Sequence, residues 1–252
     1  RRAQFIRVII AEMARIMSHL VAMGSTAMDV GALTVLLWGF REREKLQDIQ
    51  DVFTGVRFTT SFTRIGGLAN DMSDEAIGML INFLDQFSEK LDDVEKLLLK
   101  NRIFIQRCEG VGVISKHDAV AMGLTGPNLR ASGVPHDLRI DEPYLVYPEL
   151  DFDIPIFKDG DALSRFYIRL MEMKESTKII RQAIEKMPQG PVNAALPKRV
   201  LPQKEKIYSK MEELIHDFML VNFGINPPVG EVYLAIENSK GELGFYISSK
   251  GQ

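Results

Sequence analysis

The 252-residue sequence is 46% hydrophobic and 26% charged, which is ordinary for a globular protein with a sizeable core. Its 31 Lys and Arg residues against 34 Asp and Glu residues give a formal charge of −3, so the basic excess typical of nucleic-acid-binding proteins is absent. One cysteine, Cys108, excludes an internal disulfide or an internal Cys-x-x-Cys site, and no apolar run approaches the roughly 18 residues of a membrane span.

Apolar residues spaced three or four apart predict five helices along the chain. They cover residues 3–28, residues 33–53, a segment capped by Ser73 with core positions from Ile77 to Leu98, a segment capped by Asp161 that ends at Pro188, and residues 204–221. In the fifth helix the pattern predicts that five side chains are buried: Ile207, Met211, Leu214, Phe218 and Val221.

Two further segments complete the predicted fold. Residues 110–155 are rich in Gly, Pro and Asp, and only one short helix is expected there, near residues 117–122. Alternating apolar residues over 232–236 and 243–247 predict a hairpin joined by residues 238–241. We therefore expect an α-rich α+β fold, with a multi-helix core and small β hairpins, that forms a single domain over residues 1–252.

The common catalytic motifs are absent, and the four histidines lack metal-ligand spacing. Asp29, which lies between two apolar segments, has two interpretations. It could cap the second helix, or it could be a carboxylate in an apolar cavity that gives or takes a proton. The sequence alone favours the cap.

Several other polar residues admit a structural and a functional role. Arg57 and Arg64 could face an anionic group, although surface ion pairs are the more common role. In the glycine-rich loop 123–133, we expect Arg130 to be buried and to pair with a carboxylate such as Asp137. His19 is expected to be a hydrogen-bonded structural residue, and Cys108 to be a packing residue in the core.

Twelve short strings resemble the forty-nine-kilodalton (49 kDa) subunit of respiratory complex I. They are RAQFIRV at 2–8 with SHL at 18–20, DVGALT at 29–34, FRERE at 40–44, RIGG at 64–67, GVGV at 110–113, LTG at 124–126, RASGV at 130–134, DEPY at 141–144, IIRQ at 179–182, GEVY at 230–233 and GELGFY at 241–246. They run nearly from end to end of the sequence.

The resemblance implies a fold like the large subunit of nickel–iron hydrogenases, and a fragment that lacks the N-terminal and C-terminal parts of the 49 kDa protein. It implies a peripheral subunit of the NADH:quinone oxidoreductase, on the cytoplasmic side of the bacterial plasma membrane, which it would reach only through partners. Those partners would be the subunit that holds the terminal iron–sulfur cluster and a membrane-arm subunit at the quinone channel. Quinone would be the substrate, reduced in a reaction coupled to ion translocation, while NAD and the clusters would bind to other subunits.

The resemblance also assigns individual residues. Asp29 falls on the aspartate of the quinone pocket, the predicted catalytic residue, and Val21 and Leu36 fall on positions that line the pocket. Arg57, Thr59 and Arg64 would lie near the terminal cluster. At Thr59 many members carry a histidine, so this departure predicts a cluster whose potential depends less on pH.

Two alternatives remain at this point. The chain could belong to the large subunit of a membrane-bound, energy-converting nickel–iron hydrogenase, whose Cys-x-x-Cys pairs would lie outside these residues. It could also be an assembly scaffold without a redox role, in which Asp29 is only a cap. A relative fed by ferredoxin or another donor would carry the same residues here.

Overall fold

The computed structural model describes residues 1–196 and 199–251. Long helices dominate it, and two small antiparallel hairpins accompany them, as the sequence predicts. Within the described residues, no helix combines the length and the apolar character needed to cross a bilayer.

The elements in chain order are α1 (Arg2–Asp29), α2 (Leu33–Thr54), β1 (Thr63–Arg64), β2 (Gly67–Leu68), α3 (Asp74–Leu99), α4 (Arg102–Cys108), α5 (Lys116–Ala121), α6 (Gly126–Ala131), α7 (Leu138–Asp141), a 3₁₀ turn (Tyr147–Glu149), α8 (Ala162–Lys186), α9 (Lys204–Ile207), α10 (Met211–Phe223), β3 (Gly230–Asn238) and β4 (Gly241–Ser249).

The predicted caps and helix ends agree closely with the structure. The Ser73 side chain accepts a hydrogen bond from the Ala76 amide, and the Asp161 side chain accepts one from Ser164. Gly55 ends α2 in the left-handed region, at a φ of 78°. Since each cap satisfies an amide that the helix itself leaves free, these ends are fixed by local sequence.

The core lies between α1, α2, α3 and α8. Apolar side chains at the predicted spacing along α3 and α8, including Leu80, Leu84, Phe166 and Ile180, are buried there. Cys108 is 3% exposed and packs in the same core, as predicted.

Helices α1 and α2 form an antiparallel pair whose close approach depends on glycine. A methyl group added to Gly24 of α1 would lie 2.8 Å from Leu36 Cδ1 and 2.9 Å from Leu36 Cα. One added to Gly39 of α2 would lie 3.0 Å from the carbonyl oxygen of Leu20. The two backbones therefore pack at distances that a side chain at these positions would prevent.

Gly24→Ala is expected to lower the free energy of unfolding by about 1–2 kcal/mol, because overpacking outweighs the helix propensity gained from alanine. The matched control is Gly78→Ala in α3, where an added methyl group meets nothing within 4 Å. That variant should be about 0.5–1 kcal/mol more stable than the parent. Denaturant unfolding of the two variants measures the difference, and equal stability would show that α1 and α2 do not pack this closely.

The prediction for residues 204–221 is wrong in two respects. The single helix is divided into α9 and α10, because Lys210 takes an extended conformation between them and the Ser209 hydroxyl donates to the carbonyl of Glu205. The predicted core stripe is also exposed, since α10 has no buried residue and Met211 and Phe218 are 74% and 58% exposed. In the described part of the chain, nothing covers this apolar face.

The segment 110–155 holds more helix than the sequence predicts. The expected short helix is present as α5, but α6, α7 and the 3₁₀ turn also form. Helix α6 begins with Gly126 and Pro127 and was missed because these residues ordinarily indicate a turn. The predicted hairpin is confirmed, with Asn238 paired to Gly241 at its turn.

Candidate functional site

The α1–α2 pair ends in a short turn that presents Asp29. Asp29 is the last residue of α1, and its side chain is exposed. The interpretation of Asp29 as a helix cap is wrong, because Ala32 occupies the N-cap of α2 and makes no side-chain capping bond. The exposed side chain leaves the Asp29 carboxylate available at the surface, and its interpretation as a carboxylate in an apolar cavity stays a prediction.

Val21 lies on α1, and Leu36 lies on the facing helix α2. Both are half-buried. Leu36 packs directly against Gly24, which is three residues after Val21 and so on the same face of α1. The α1–α2 pair thus places the two predicted pocket residues near each other, with Asp29 further along α1 at the turn.

The loop after α2 carries Arg57, Thr59 and Arg64. The Arg57 guanidinium pairs with Glu44 and with Asp48, the latter at 2.8 Å, and all three side chains are about half exposed. The structural interpretation as a surface ion pair is therefore confirmed for Arg57. Thr59 is exposed and has a φ of 51°, a left-handed conformation uncommon for a β-branched residue.

Arg64 differs from Arg57. Its side chain is exposed and makes no ion pair with the described residues, while its carbonyl oxygen accepts a hydrogen bond from Arg7 at 2.6 Å. Its guanidinium is thus available for an external anionic group.

A cleft of about 610 Å³ opens between α1, α8 and the turn of the β3–β4 hairpin. Val21 from α1 and Phe58 from the loop both line it. The cleft therefore brings together Val21, a predicted pocket residue, and Phe58, which lies between Arg57 and Thr59 in the sequence. Asp29, Leu36 and Arg64 do not line it.

Four cations line this cleft, and among its described lining residues there is no Asp or Glu. They are Arg43, Arg165, Arg169 and Lys240. We call it the cationic cleft. None of the four makes an ion pair with a carboxylate in residues 1–196 and 199–251. Their charge is therefore available to an anionic group in the cleft.

The arginines of the cationic cleft are held in place by neutral groups. Arg43 lies over the Phe58 ring, 5.7 Å from its centroid. Arg165 donates to the carbonyl oxygens of Gly160 and Gly112. Burial lowers the pKa of Arg169, and although Glu172 acts in the opposite direction, nearby Arg165 lowers it further. The positive charge is thus concentrated and incompletely compensated.

Helices α1 and α8, which line the cleft, also contribute to a buried ion-pair network. It consists of Glu12, Arg15 and His19 of α1, Arg130 of α6, Asp137 and Arg139 around α7, Glu172 of α8 and Glu237 of β3. Every member is at most 4% exposed. Because the network joins five elements, it fixes the helices and the hairpin relative to one another.

Arg130 is the centre of the buried ion-pair network. Its guanidinium lies 3.3 Å from Asp137, 2.7 Å from Glu172 and 2.9 Å from Glu237. The predicted burial of Arg130 and its pair with Asp137 are confirmed. The predicted structural role of His19 is also confirmed, with Nε2 at 2.7 Å from Glu172.

The protonation states within the network follow from these contacts. Burial alone would raise the pKa of Glu172, but the hydrogen bond with His19 and the charge of Arg130 hold it well below its usual range. Burial is the largest effect on His19 and lowers its pKa, against the influence of Glu172. A neutral imidazole therefore faces a charged carboxylate near neutral pH.

Sequence reasoning missed most of this arrangement. Glu12, Arg15 and His19 lie at the edge of the apolar stripe of α1, and all three are buried. The cations of the cleft lie far apart in the sequence, and no local spacing connects them. The sequence signal that could have indicated the network is the position of Arg15 and His19 beside an apolar stripe. Polar side chains that become buried there need hydrogen-bonding or charged partners.

Comparisons with known proteins identify the family to which the chain belongs. The family model of the respiratory-chain NADH dehydrogenase 49 Kd subunit matches residues 29–252. The homologous NADH-quinone oxidoreductase subunit of Chloroherpeton thalassium is 56% identical over 251 residues, which are 100% of this chain and 57% of that protein. The homologous subunit of Methylacidiphilum infernorum is 51% identical over 250 residues, 99% of this chain and 60% of that protein. The chain thus spans less than two thirds of the length of these relatives.

Proposed function

The chain belongs to the family of the 49-kDa subunit of respiratory-chain NADH dehydrogenase, and from this premise we propose that it forms part of a quinone-reduction site. The cationic cleft is the observation that carries the proposal. Val21, which falls on a pocket position, lines the cleft together with Phe58, the neighbour of Arg57 and Thr59. Quinone would enter between this subunit and the partner that holds the terminal iron–sulfur cluster.

The chemistry of such a site requires two electrons and two protons, which convert a quinone to a quinol. The electrons would come from the partner's cluster, since the one cysteine of this chain cannot supply four thiolate ligands. The exposed carboxylate of Asp29 would transfer protons at the tip of the α1–α2 pair. Cations in the cleft would stabilise the negative charge that arrives with each electron.

The wider assignment follows from the same premise. Residues 1–252 would act as one domain of a longer subunit, with a fold like the nickel–iron hydrogenase large subunit. The subunit would be peripheral, on the cytoplasmic side of a bacterial plasma membrane, and would contact a membrane-arm subunit at the quinone channel. Quinone reduction would be coupled to ion translocation through those membrane subunits. The names of the relatives favour this role over that of a hydrogenase.

Val21→Trp tests the proposal in the assembled complex. The larger ring would fill part of the cationic cleft, so quinone reduction is expected to fall at least tenfold, with a higher KM for quinone. Electron transfer from NADH to ferricyanide, which needs only upstream subunits, should be unchanged. Val120→Trp is the matched control, because Val120 is 58% exposed and lies outside the cleft. Equal quinone kinetics in the two variants would contradict the proposal.

A further inference from the structure

The β3–β4 hairpin is held firmly only near its turn. Along the strands, apolar side chains such as Leu234 and Phe245 are more than half exposed. Glu237 and Ser239, next to the turn, are both 4% exposed. We call residues 238–241 the hairpin tip. The tip reaches the helical core, whereas the rest of the hairpin extends away from it.

On one side, charged groups of the helical core fix the hairpin tip. Arg15 donates to the carbonyl oxygens of Glu237 and Asn238, at 2.7 and 3.2 Å. The Glu237 carboxylate pairs with Arg130 at 2.9 Å and accepts from the Leu138 amide at 3.3 Å. These contacts restrain the backbone that leads into the tip.

On the other side, short side chains and a glycine contact fix the backbone that leaves the tip. Ser239 Oγ bonds Ser18 Oγ at 2.7 Å, and the Glu242 amide donates to Thr125 Oγ1 at 3.0 Å. Gly241 has a φ of 129°, and a methyl group there would lie 2.4 Å from Thr125 Oγ1. Only glycine allows the tip to approach α6 this closely.

One residue of the hairpin tip is left free by these restraints. Lys240 lies between Ser239 and Gly241, is exposed, and lines the cationic cleft. Its ammonium group has no carboxylate partner in the described part of the chain. Of the four cations it alone comes from the turn of a hairpin, whereas Arg165 and Arg169 come from α8. The fixed tip thus holds the backbone of a long, unpaired side chain at the edge of the cleft that Val21 also lines.

We propose that Lys240 is a substrate-contacting residue, whose ammonium group donates a hydrogen bond to a quinone oxygen in the cationic cleft. This inference rests on the proposed function and adds a residue to it. As electrons from the partner's cluster reach the quinone, negative charge develops on its oxygens before protons arrive. The ammonium would stabilise that charge by a charge-assisted hydrogen bond and keep its own protons. The two protons of the quinol would come through other groups, Asp29 among them.

The test uses Lys240→Gln, Lys240→Arg and the control Lys250→Gln in the assembled complex. Lys250 is an exposed lysine just after β4 and lies outside the cleft. We expect Lys240→Gln to lower kcat/KM for quinone by about tenfold to a hundredfold, as for a lost hydrogen bond to a charged group. Lys240→Arg should recover most of the rate, and Lys250→Gln should match the parent. The rate from NADH to ferricyanide in each variant reports assembly and upstream electron transfer.

The outcomes separate this inference from the proposed function. A lower kcat/KM for quinone in Lys240→Gln, with recovery in Lys240→Arg, supports the contact, because a lysine with a purely structural role would not require its charge. Parental quinone kinetics in Lys240→Gln would overturn it, and if Val21→Trp still lost activity, the proposed function would stand. Parental kinetics in both Lys240→Gln and Val21→Trp would overturn both. Equal losses in Lys240→Gln and Lys240→Arg would also overturn the contact.

Discussion

Arg130→Met is expected to lower the free energy of unfolding by about 3–5 kcal/mol, the range measured when one partner of a buried ion pair is removed. Methionine keeps much of the length of the side chain but removes its charge. Glu172 would retain His19 at 2.7 Å, and Asp137 would retain Arg139 at 2.7 Å. Glu237, at 4% exposure, would keep only the Leu138 amide and would become an uncompensated buried charge.

The control for Arg130→Met is Arg181→Met in α8. Arg181 also pairs with a carboxylate, Asp85, at 2.7 Å, but both side chains are about half exposed. Exposed pairs contribute about 0–1 kcal/mol, so this variant should unfold close to the parent. Denaturant unfolding of both variants measures the difference. If Arg130→Met were as stable as Arg181→Met, the buried ion-pair network would not hold the fold as described.

Arg130→Met is also expected to affect the proposed site. Since Arg130 holds Glu237 and Glu237 lies beside the hairpin tip, loss of Arg130 should also displace Lys240 from the cationic cleft. The buried ion-pair network would therefore act on the proposed site through the position of the hairpin tip. If the complex still assembles with Arg130→Met, its kcat/KM for quinone should be lowered, as is expected for Lys240→Gln.

Features that depend on local sequence were predicted well. The caps at Ser73 and Asp161, the end of the second helix near residue 53 and the turn between β3 and β4 all depend on residues within a few positions of one another. The pair of Arg130 with Asp137 was predicted for the same reason, because seven residues separate them.

Features that depend on distant parts of the chain could not be predicted. Glu237 reaches Arg130 across 107 residues, and Arg139 reaches Glu12 across 127. No periodicity indicates such pairs. The predicted burial of the apolar stripe on α10 is wrong for another reason. Its residues have helical spacing, but their burial requires a covering surface, and none lies in the described residues. The sequence thus predicted the elements, while the cationic cleft required the tertiary structure.

The most direct measurement of the central claim is the rate of quinone reduction by the assembled complex that carries Asp29→Asn. Asparagine keeps the shape of the side chain and removes its charge. Because Asp29 is exposed and does not cap α2, the fold should be unaffected. Losing a residue that transfers protons typically lowers a rate by about 10²–10⁴-fold, so we expect at least a hundredfold loss. Transfer from NADH to ferricyanide should be unchanged.

Asp51→Asn supplies the matched control, since Asp51 is an exposed aspartate near the end of α2 without an ion pair in the described residues. The account predicts a large loss of quinone reduction in Asp29→Asn and none in Asp51→Asn. Equal, parental rates in both variants would contradict it and would favour an assembly scaffold without a redox role.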